Sequence, residues 1–288
     1  MIRRILKPWF VFRPLQIMRR IAAHKSQSNL ICLPWGGEIE VDATKEIGRS
    51  LLHTGVYDLA MSELLFRLAD VDDSVVDVGA NVGYVTALFA HRVGAHGRVF
   101  SIEAHPNVYE KLLKNVALIP NLNAKSIDVR NCAVTEQSGH VHLEESEGFI
   151  KNDGIARVVD RESATSFSVL GVPLDEIIPA DLNIKVMKID VEGHELSVLR
   201  GAQRCLRNQI VHVVYEDHGE GISPVTELLI SEGFKVYQIG WRLLRLIIVD
   251  IEMPSPVNRY EPRNLIATKD PEYLFSRCLS AGWRVLGR

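Results

Sequence analysis

Between residues 74 and 216 the chain alternates short apolar runs with amphipathic stretches, and this rhythm constrains the fold more than any other feature. SVVDVG (74–79), RVFSIE (98–103), AKSIDVR (124–130), IKVMKID (184–190) and IVHVVYE (210–216) read as strands. VGYVTALFAHRV (82–93), PNVYEKLLKNVAL (106–118), ELSVLRGAQRCL (195–206) and PVTELLISEG (224–233) read as helices, with Pro106 at a first helical position and Gly233 as a stop. Repeated strand–helix steps predict an α/β fold: a doubly wound, mostly parallel sheet with helices on both faces. FKVYQI (234–239) and NLIATK (264–269) add an antiparallel edge pair across a 24-residue connection. Residues 131–160 break the rhythm with Gly139, Gly148 and Gly154 and with alternating HVHLE and IARVVD, which predicts a β-hairpin insertion. Upstream, LICLPWGGEIEVD (30–42) predicts a short hairpin or cap strand, and TGVYDLAMSELLFRLADV (54–71) a helix.

In such sheets ligands bind at the carboxyl ends of the strands, where the strand order reverses. The first strand ends in Asp77-Val78-Gly79-Ala80-Asn81-Val82-Gly83, and Glu103 ends the next strand 20 residues beyond Gly83. This is the layout of a nucleotide-binding turn, in which glycines admit a ligand close to the backbone and the acid takes two ribose hydroxyls. Two details depart from a dinucleotide site. The glycines are spaced G-x-N-x-G, and Asp77 sets a carboxylate before the loop, where it would repel a pyrophosphate and attract the ammonium and sulfonium of S-adenosylmethionine. A plain strand–helix turn, with Asp77 capping the helix, would use the same residues.

VVDVGANVGYVTALFA, VFSIEAHPNVYEKLLKNV, VPLDEII, KVMKIDVEGHELSVLRGA and VVYE together resemble the FkbM-type methyltransferases, a branch of the class I S-adenosylmethionine-dependent enzymes, over about residues 54–240. The resemblance implies a Rossmann-like sheet of seven strands, S-adenosylmethionine as methyl donor, and transfer to a hydroxyl of a sugar, glycan intermediate or natural-product scaffold. It carries Asp77, Gly79, Asn81 and Gly83 over as the cofactor loop and Glu103 as the ribose ligand. Asn131, in the segment after the third strand, and Asp190 complete the expected cofactor set. Asn152 and Gly154 of KNDGIA match an Asn-x-Gly feature associated with the family, and Asn152 is an expected acceptor contact, although both suit a hairpin turn.

Strand 184–190 delivers Asp190-Val191-Glu192-Gly193-His194-Glu195 to the same end of the sheet. Asp190 can orient the donor's amine or the acceptor's hydroxyl, and His194 titrates near neutrality and could take the hydroxyl proton, which makes the two the candidate catalytic residues. A surface turn would also suit His194. Glu195 reads as a helix amino-end acid, and Glu192 and Glu216 join Asn152 as acceptor contacts. Tyr215-Glu216-Asp217-His218 ends the adjacent strand, so Asp190, Glu216 and Asp217 could assemble an oxygen site for a divalent cation; a solvated acidic cluster is the favoured reading, and a divalent metal stays possible but not favoured. The turn lacks the Asn/Asp-Pro-Pro-Tyr pattern of base-modifying methyltransferases and any cysteine nucleophile.

Charge refines the partners. Residues 1–37 carry seven basic side chains and no acidic one, whereas the remainder carries 26 basic and 36 acidic, and the chain is −3 overall, which argues against a nucleic-acid binder. Ile2, Ile5, Leu6, Trp9 and Phe10 among Arg3, Arg4 and Lys7 suit peripheral contact of residues 1–25 with an anionic membrane; docking on the acidic body is the competing reading. The opening residues fit a secretory signal poorly, no run approaches a membrane span, and four scattered cysteines suggest reduced thiols, so a cytoplasmic protein is expected. The expected division is a basic extension (1–50), a methyltransferase domain (51–270) and a tail (271–288). Two other readings stay open: an NAD-dependent sugar-nucleotide oxidoreductase on a variant loop, and a noncatalytic cofactor-fold subunit.

Overall fold

Ser74–Val78 forms strand β3, and its composition decides its place: Val75, Val76 and Val78 are at most 1% exposed and need apolar cover on both faces. In the computed structural model, which describes residues 29–120, 126–145, 156–159, 166–217, 221–242, 245–253 and 263–287, β3 lies inside a sheet of eight strands. In chain order the described elements are β1 (Leu30–Cys32), β2 (Glu38–Glu40), α1 (Glu46–Thr54), α2 (Leu59–Leu68), β3, α3 (Tyr84–Val93), β4 (Arg98–Ile102), α4 (Pro106–Ala117), β5 (Ile127–Arg130), β6 (Ala133–Val134), β7 (Gly139–Glu145), β8 (Ala156–Val159), β9 (Ser166–Val172) and α5 (Leu174–Ile177). They continue with β10 (Ile184–Ile189), α6 (Glu195–Arg200), α7 (Gln203–Asn208), β11 (Ile210–Asp217), α8 (Pro224–Ser231), β12 (Lys235–Arg242), β13 (Arg245–Asp250), β14 (Arg263–Thr268) and α9 (Pro271–Cys278).

The large sheet runs β13-β12-β14-β11-β10-β3-β4-β5. β5, β4, β3, β10 and β11 are parallel; β14 runs antiparallel to both β11 and β12. The seven expected strands are present, and an eighth, β13, lies in the 24-residue connection between the expected edge pair, pairing antiparallel with β12 at the edge. Chain order reverses at β3, whose neighbours β4 and β10 lead outward in opposite directions, so the crevice opens above β3 and β10.

Side-chain alternation sorts the core into two layers. Val75, Val99, Val186 and Val214 face one apolar cluster with α2, α3 and α9. Val76, Phe100, Met187 and Val213 face the other with α5 to α8. The same alternation sends Asp77, Ser101, Lys188 and Glu216 to the first side, and Asp217 to the second.

Three local readings change. The helix expected over 54–71 is shorter, starting after Asp58, whose carboxylate accepts the Met61 N–H at 3.0 Å, and a separate helix, α1, precedes it. The helix expected over 195–206 is two helices, because Asp175 accepts the amides of Arg204 (2.7 Å) and Cys205 (2.9 Å) and so caps a fresh start at α7. The expected hairpin is present as β7 with β8, but it belongs to a four-stranded sheet of order β6-β9-β7-β8 that includes β9.

Residues 271–287 are bolted to α2. Arg67, fully buried, pairs with Glu63 at 2.5 Å and donates to the carbonyls of Arg277 and Gly282, while Glu63 accepts the amides of Arg284 and Val285. No described helix is long and apolar enough to cross a membrane. The basic arm over residues 1–28, and with it the whole of the expected membrane contact, lies outside the described residues.

Candidate active site

The turn after β3 is built by backbone constraint. Gly79 has φ +72, and a Cβ there would stand 1.9 Å from the carbonyl oxygen of Asp190; only glycine allows the two strand ends to meet this closely. Asn81 (φ +51) holds the next αL position and accepts its neighbour's amide, Val82 N–H, at 2.7 Å. Gly83 (φ +90) caps the start of α3. The loop thus brings its backbone to the mouth of a cavity of about 340 Å³, a size suited to a small-molecule ligand.

Glu103 leaves β4 beside this loop. One carboxylate oxygen accepts the Asn81 N–H and the other the His105 N–H, both at 2.8 Å, so each keeps acceptor capacity toward the cavity. Burial raises its pKa against the pull of those two bonds. Asn131 sits outside the cavity wall. Its amide donates to the Glu103 and Ala104 carbonyls (2.8 and 3.0 Å), which steadies the segment that carries the acid.

Asp77, expected at the cofactor, lies a layer below. It is fully buried, accepts the Thr86 hydroxyl at 2.7 Å, faces Lys188 Nζ at 3.4 Å and does not line the cavity. Alternation explains this: a residue on a strand buried on both faces points into a layer of core, not at the strand end. Lys188 was not legible as a site residue. Its ammonium donates to the Gly79 carbonyl at 2.7 Å and lies 3.5 Å from Asp190 Oδ2. Burial opposes the charge on Lys188, but Asp190 and Asp77, with Glu103, outweigh it and hold its pKa above the usual lysine value. The sequence signal was a lysine inside an apolar strand; its register opposite Asp77 shows only in the pairing of β3 with β10.

The opposite wall is acidic. Asp190, Glu192 and Glu216 line it, joined by Asp58 and Glu46 from α2 and α1, which sequence reasoning also missed. Burial first, and then the neighbouring charges of Asp190, Glu192 and Asp58, push the Glu216 carboxyl up to about 8. His194 lines the same wall as the N-cap residue of α6. Glu195 turns inward instead, accepting the Gly193 amide at 3.1 Å and the Val191 amide at 3.4 Å, and so pins the turn. Asp217 faces the far side of the sheet, buried against Thr226 (3.3 Å) and Arg263 (3.6 Å). It cannot join Asp190 and Glu216 on one cation, and among the described residues no group of three or more His, Cys, Asp or Glu is arranged to hold a metal.

The small sheet closes the cavity with apolar side chains, Val134, Leu143 and Val158 among them. His105 anchors it: Nδ1 accepts the Asn107 amide, leaving Nε2 to donate to Glu145 at 3.0 Å, and its ring meets Phe167 edge-on at 5.0 Å. Asn152, Gly154 and His218 lie outside the described residues.

The family model described as "Methyltransferase FkbM domain" matches residues 77–236. A hexuronic acid methyltransferase, AglP, of Haloferax volcanii is 29% identical over 199 residues, which cover 68% of this chain and 76% of AglP. A methyltransferase FkbM structure from Methylobacillus flagellatus superposes with TM-score 0.46 at 18% identity, covering 69% of this chain but only 44% of that one. Fibrillarin of Aeropyrum pernix, determined with bound S-adenosyl-L-methionine, gives TM-score 0.40 at 14% identity, covering 72% and 74%.

Proposed function

The chain belongs to the FkbM-domain methyltransferases and is an S-adenosylmethionine-dependent enzyme, and we propose that it methylates a hydroxyl of a sugar or glycan intermediate in the cleft above β3 and β10. The observation that carries the reading is the half-buried Glu103 carboxylate, set by two backbone amides beside a glycine turn and facing an acidic wall across the cavity. The family assignment displaces the NAD-dependent reading. The sugar is supported by the hexuronic acid acceptor that AglP's name records.

The residues fit the donor. Glu103 would take the ribose hydroxyls, the Gly79–Gly83 turn admits the ligand next to backbone, and the apolar wall of Val134, Leu143 and Val158 suits a flat ring. The carboxylates of Asp190 and Glu192 complement a cation. S-adenosylmethionine, when bound, supplies the methyl group on a sulfur that leaves readily. What the chain must then supply is alignment, since holding acceptor oxygen, methyl carbon and sulfur in line accounts for most of the acceleration in such a displacement. Asp190 orients the donor amine or the acceptor hydroxyl, Glu192 and Glu216 accept hydrogen bonds from the acceptor, and His194 removes the hydroxyl proton, a contribution of about 10²–10⁴-fold.

The test is a screen of the protein with isotopically labelled donor against neutral, amino and uronic sugars as free glycosides and glycolipids, read by mass spectrometry. Gain of one methyl on a sugar oxygen is expected. Methylation confined to nitrogen or to a non-sugar scaffold overturns the acceptor assignment. In the same assay His194→Ala should lower kcat at least about tenfold with donor affinity unchanged, because only the transition state uses the contact.

A further inference from the structure

Lys188 is the one lysine or arginine among the described residues lining the cavity, and the reading above gives it no task. Its side chain is 5% exposed and its ammonium meets four groups at the ends of two strands: the Gly79 and Val78 carbonyls, Asp77 and Asp190. We propose that Lys188 is a positioning residue for donor binding, whose ammonium ties the Gly79 carbonyl and the Asp190 carboxylate to a single point and thereby fixes the gap between the two strand ends where the donor sits. The inference rests on the methyl-donor reading of this cleft.

The geometry separates this role from simple neutralisation of Asp77. Asp77 Oδ2 already accepts the Thr86 hydroxyl, which is itself 2.7 Å from the Ser101 hydroxyl, so that only Oδ1, 3.4 Å from the ammonium, relies on the lysine. The short contact of the ammonium is instead to the loop, at 2.7 Å, against 3.4 Å and 3.5 Å to the two carboxylates. Around that point the strand ends already touch, since the Asp190 amide donates to the Val78 carbonyl at 3.2 Å and no side chain fits at Gly79. The ammonium therefore fastens a junction from below, and a neutral side chain would leave the loop carbonyl and Asp190 free to part.

Charge alone would argue against a lysine here. A cation under a site for a cationic ligand repels it, so removing the ammonium on electrostatic grounds should tighten S-adenosylmethionine relative to its uncharged-sulfur product, S-adenosylhomocysteine. Loss of positioning has a different signature: both ligands weaken together, because both use the same ribose, loop and carboxylate contacts.

The experiment measures both affinities by calorimetry, together with Tm, for the wild type, Lys188→Met and the double variant Asp77→Asn/Lys188→Met. The double variant removes the buried charge that Lys188→Met alone would strand, so it carries the test if the single variant does not fold. In the double variant, Tm should return to near the wild-type value while both ligands stay weakened at least about tenfold, and in Lys188→Met, which alone changes the charge under the site, the ratio of the two affinities should be unchanged within about threefold. Wild-type affinity for both ligands in the double variant would reduce Lys188 to a counter-ion for Asp77 and overturn the proposal. Selective tightening of S-adenosylmethionine would overturn it too, by assigning the ammonium an electrostatic role instead. Wild-type protein that binds neither ligand would sink the methyl-donor reading itself, a result distinguishable from both.

Discussion

Replacing Glu216 with glutamine should make the protein more stable, and only at the alkaline end. Glu216 is half-buried and faces Asp190, Glu192 and Asp58. In the unfolded chain its carboxyl titrates near 4.5, but in the folded protein near 8. The folded state therefore holds more protons than the unfolded one between these values, and stability falls as pH rises through the window. At about 1.4 kcal/mol per pH unit the full gap would cost about 4–5 kcal/mol once Glu216 is ionised. Solvent reaches part of the carboxyl, which cuts the expected cost to about 1–2 kcal/mol. A glutamine side chain keeps the shape and cannot ionise. Urea unfolding at intervals from pH 5 to pH 9 should show the two proteins within about 0.5 kcal/mol at pH 5, with the variant gaining about 1–2 kcal/mol by pH 9. An equal difference at both ends, or none at pH 9, would refute the reasoning, because it would mean that Glu216 ionises in the fold as it does in water.

Two further outcomes follow from the packing. Arg67→Met should cost about 3–5 kcal/mol of unfolding free energy, since it strands Glu63 in the core and releases the carbonyls of Arg277 and Gly282; a loss under about 1 kcal/mol in denaturant titration would show that residues 271–287 are held by apolar contacts alone. Gly79→Ala must place a methyl group against the Asp190 carbonyl at positive φ, so stability should fall by at least about 2 kcal/mol and donor binding should be lost; calorimetry showing donor affinity unchanged would move the ligand away from this turn.

The sheet was legible because period-two and helical periodicities are written along the chain, and β3, β4, β10 and β11 lie within a residue or two of their expected bounds. β13 was missed because RLIIVD (245–250) sits at the sheet edge, where sequence offers no partner to distinguish a strand from a connection. Glu103 and the glycine turn were readable from spacing, since the loop's conformation demands glycine whatever surrounds it. Asp77 was placed at the ligand because adjacency in sequence says nothing of depth; only the pairing of β3 with β10 shows that it faces Lys188. Asp217 failed for a related reason, since consecutive strand residues point to opposite faces, and Glu216 and Asp217 cannot share a site while both remain in β11. Asp58 and Glu46 come from the α1–α2 region, far in sequence from every motif, and reach the cavity only through packing of α2 on the sheet.

The most direct test of the account is donor binding at Glu103, measured by calorimetry with S-adenosylmethionine, S-adenosylhomocysteine and NAD on the wild type and on Glu103→Ala. The account predicts that the wild type binds the first two and not NAD, and that Glu103→Ala weakens both by about 1.5–3 kcal/mol, the value of hydrogen bonds to a charged acceptor. Affinity for NAD, or undiminished binding of S-adenosylmethionine by Glu103→Ala, would contradict it.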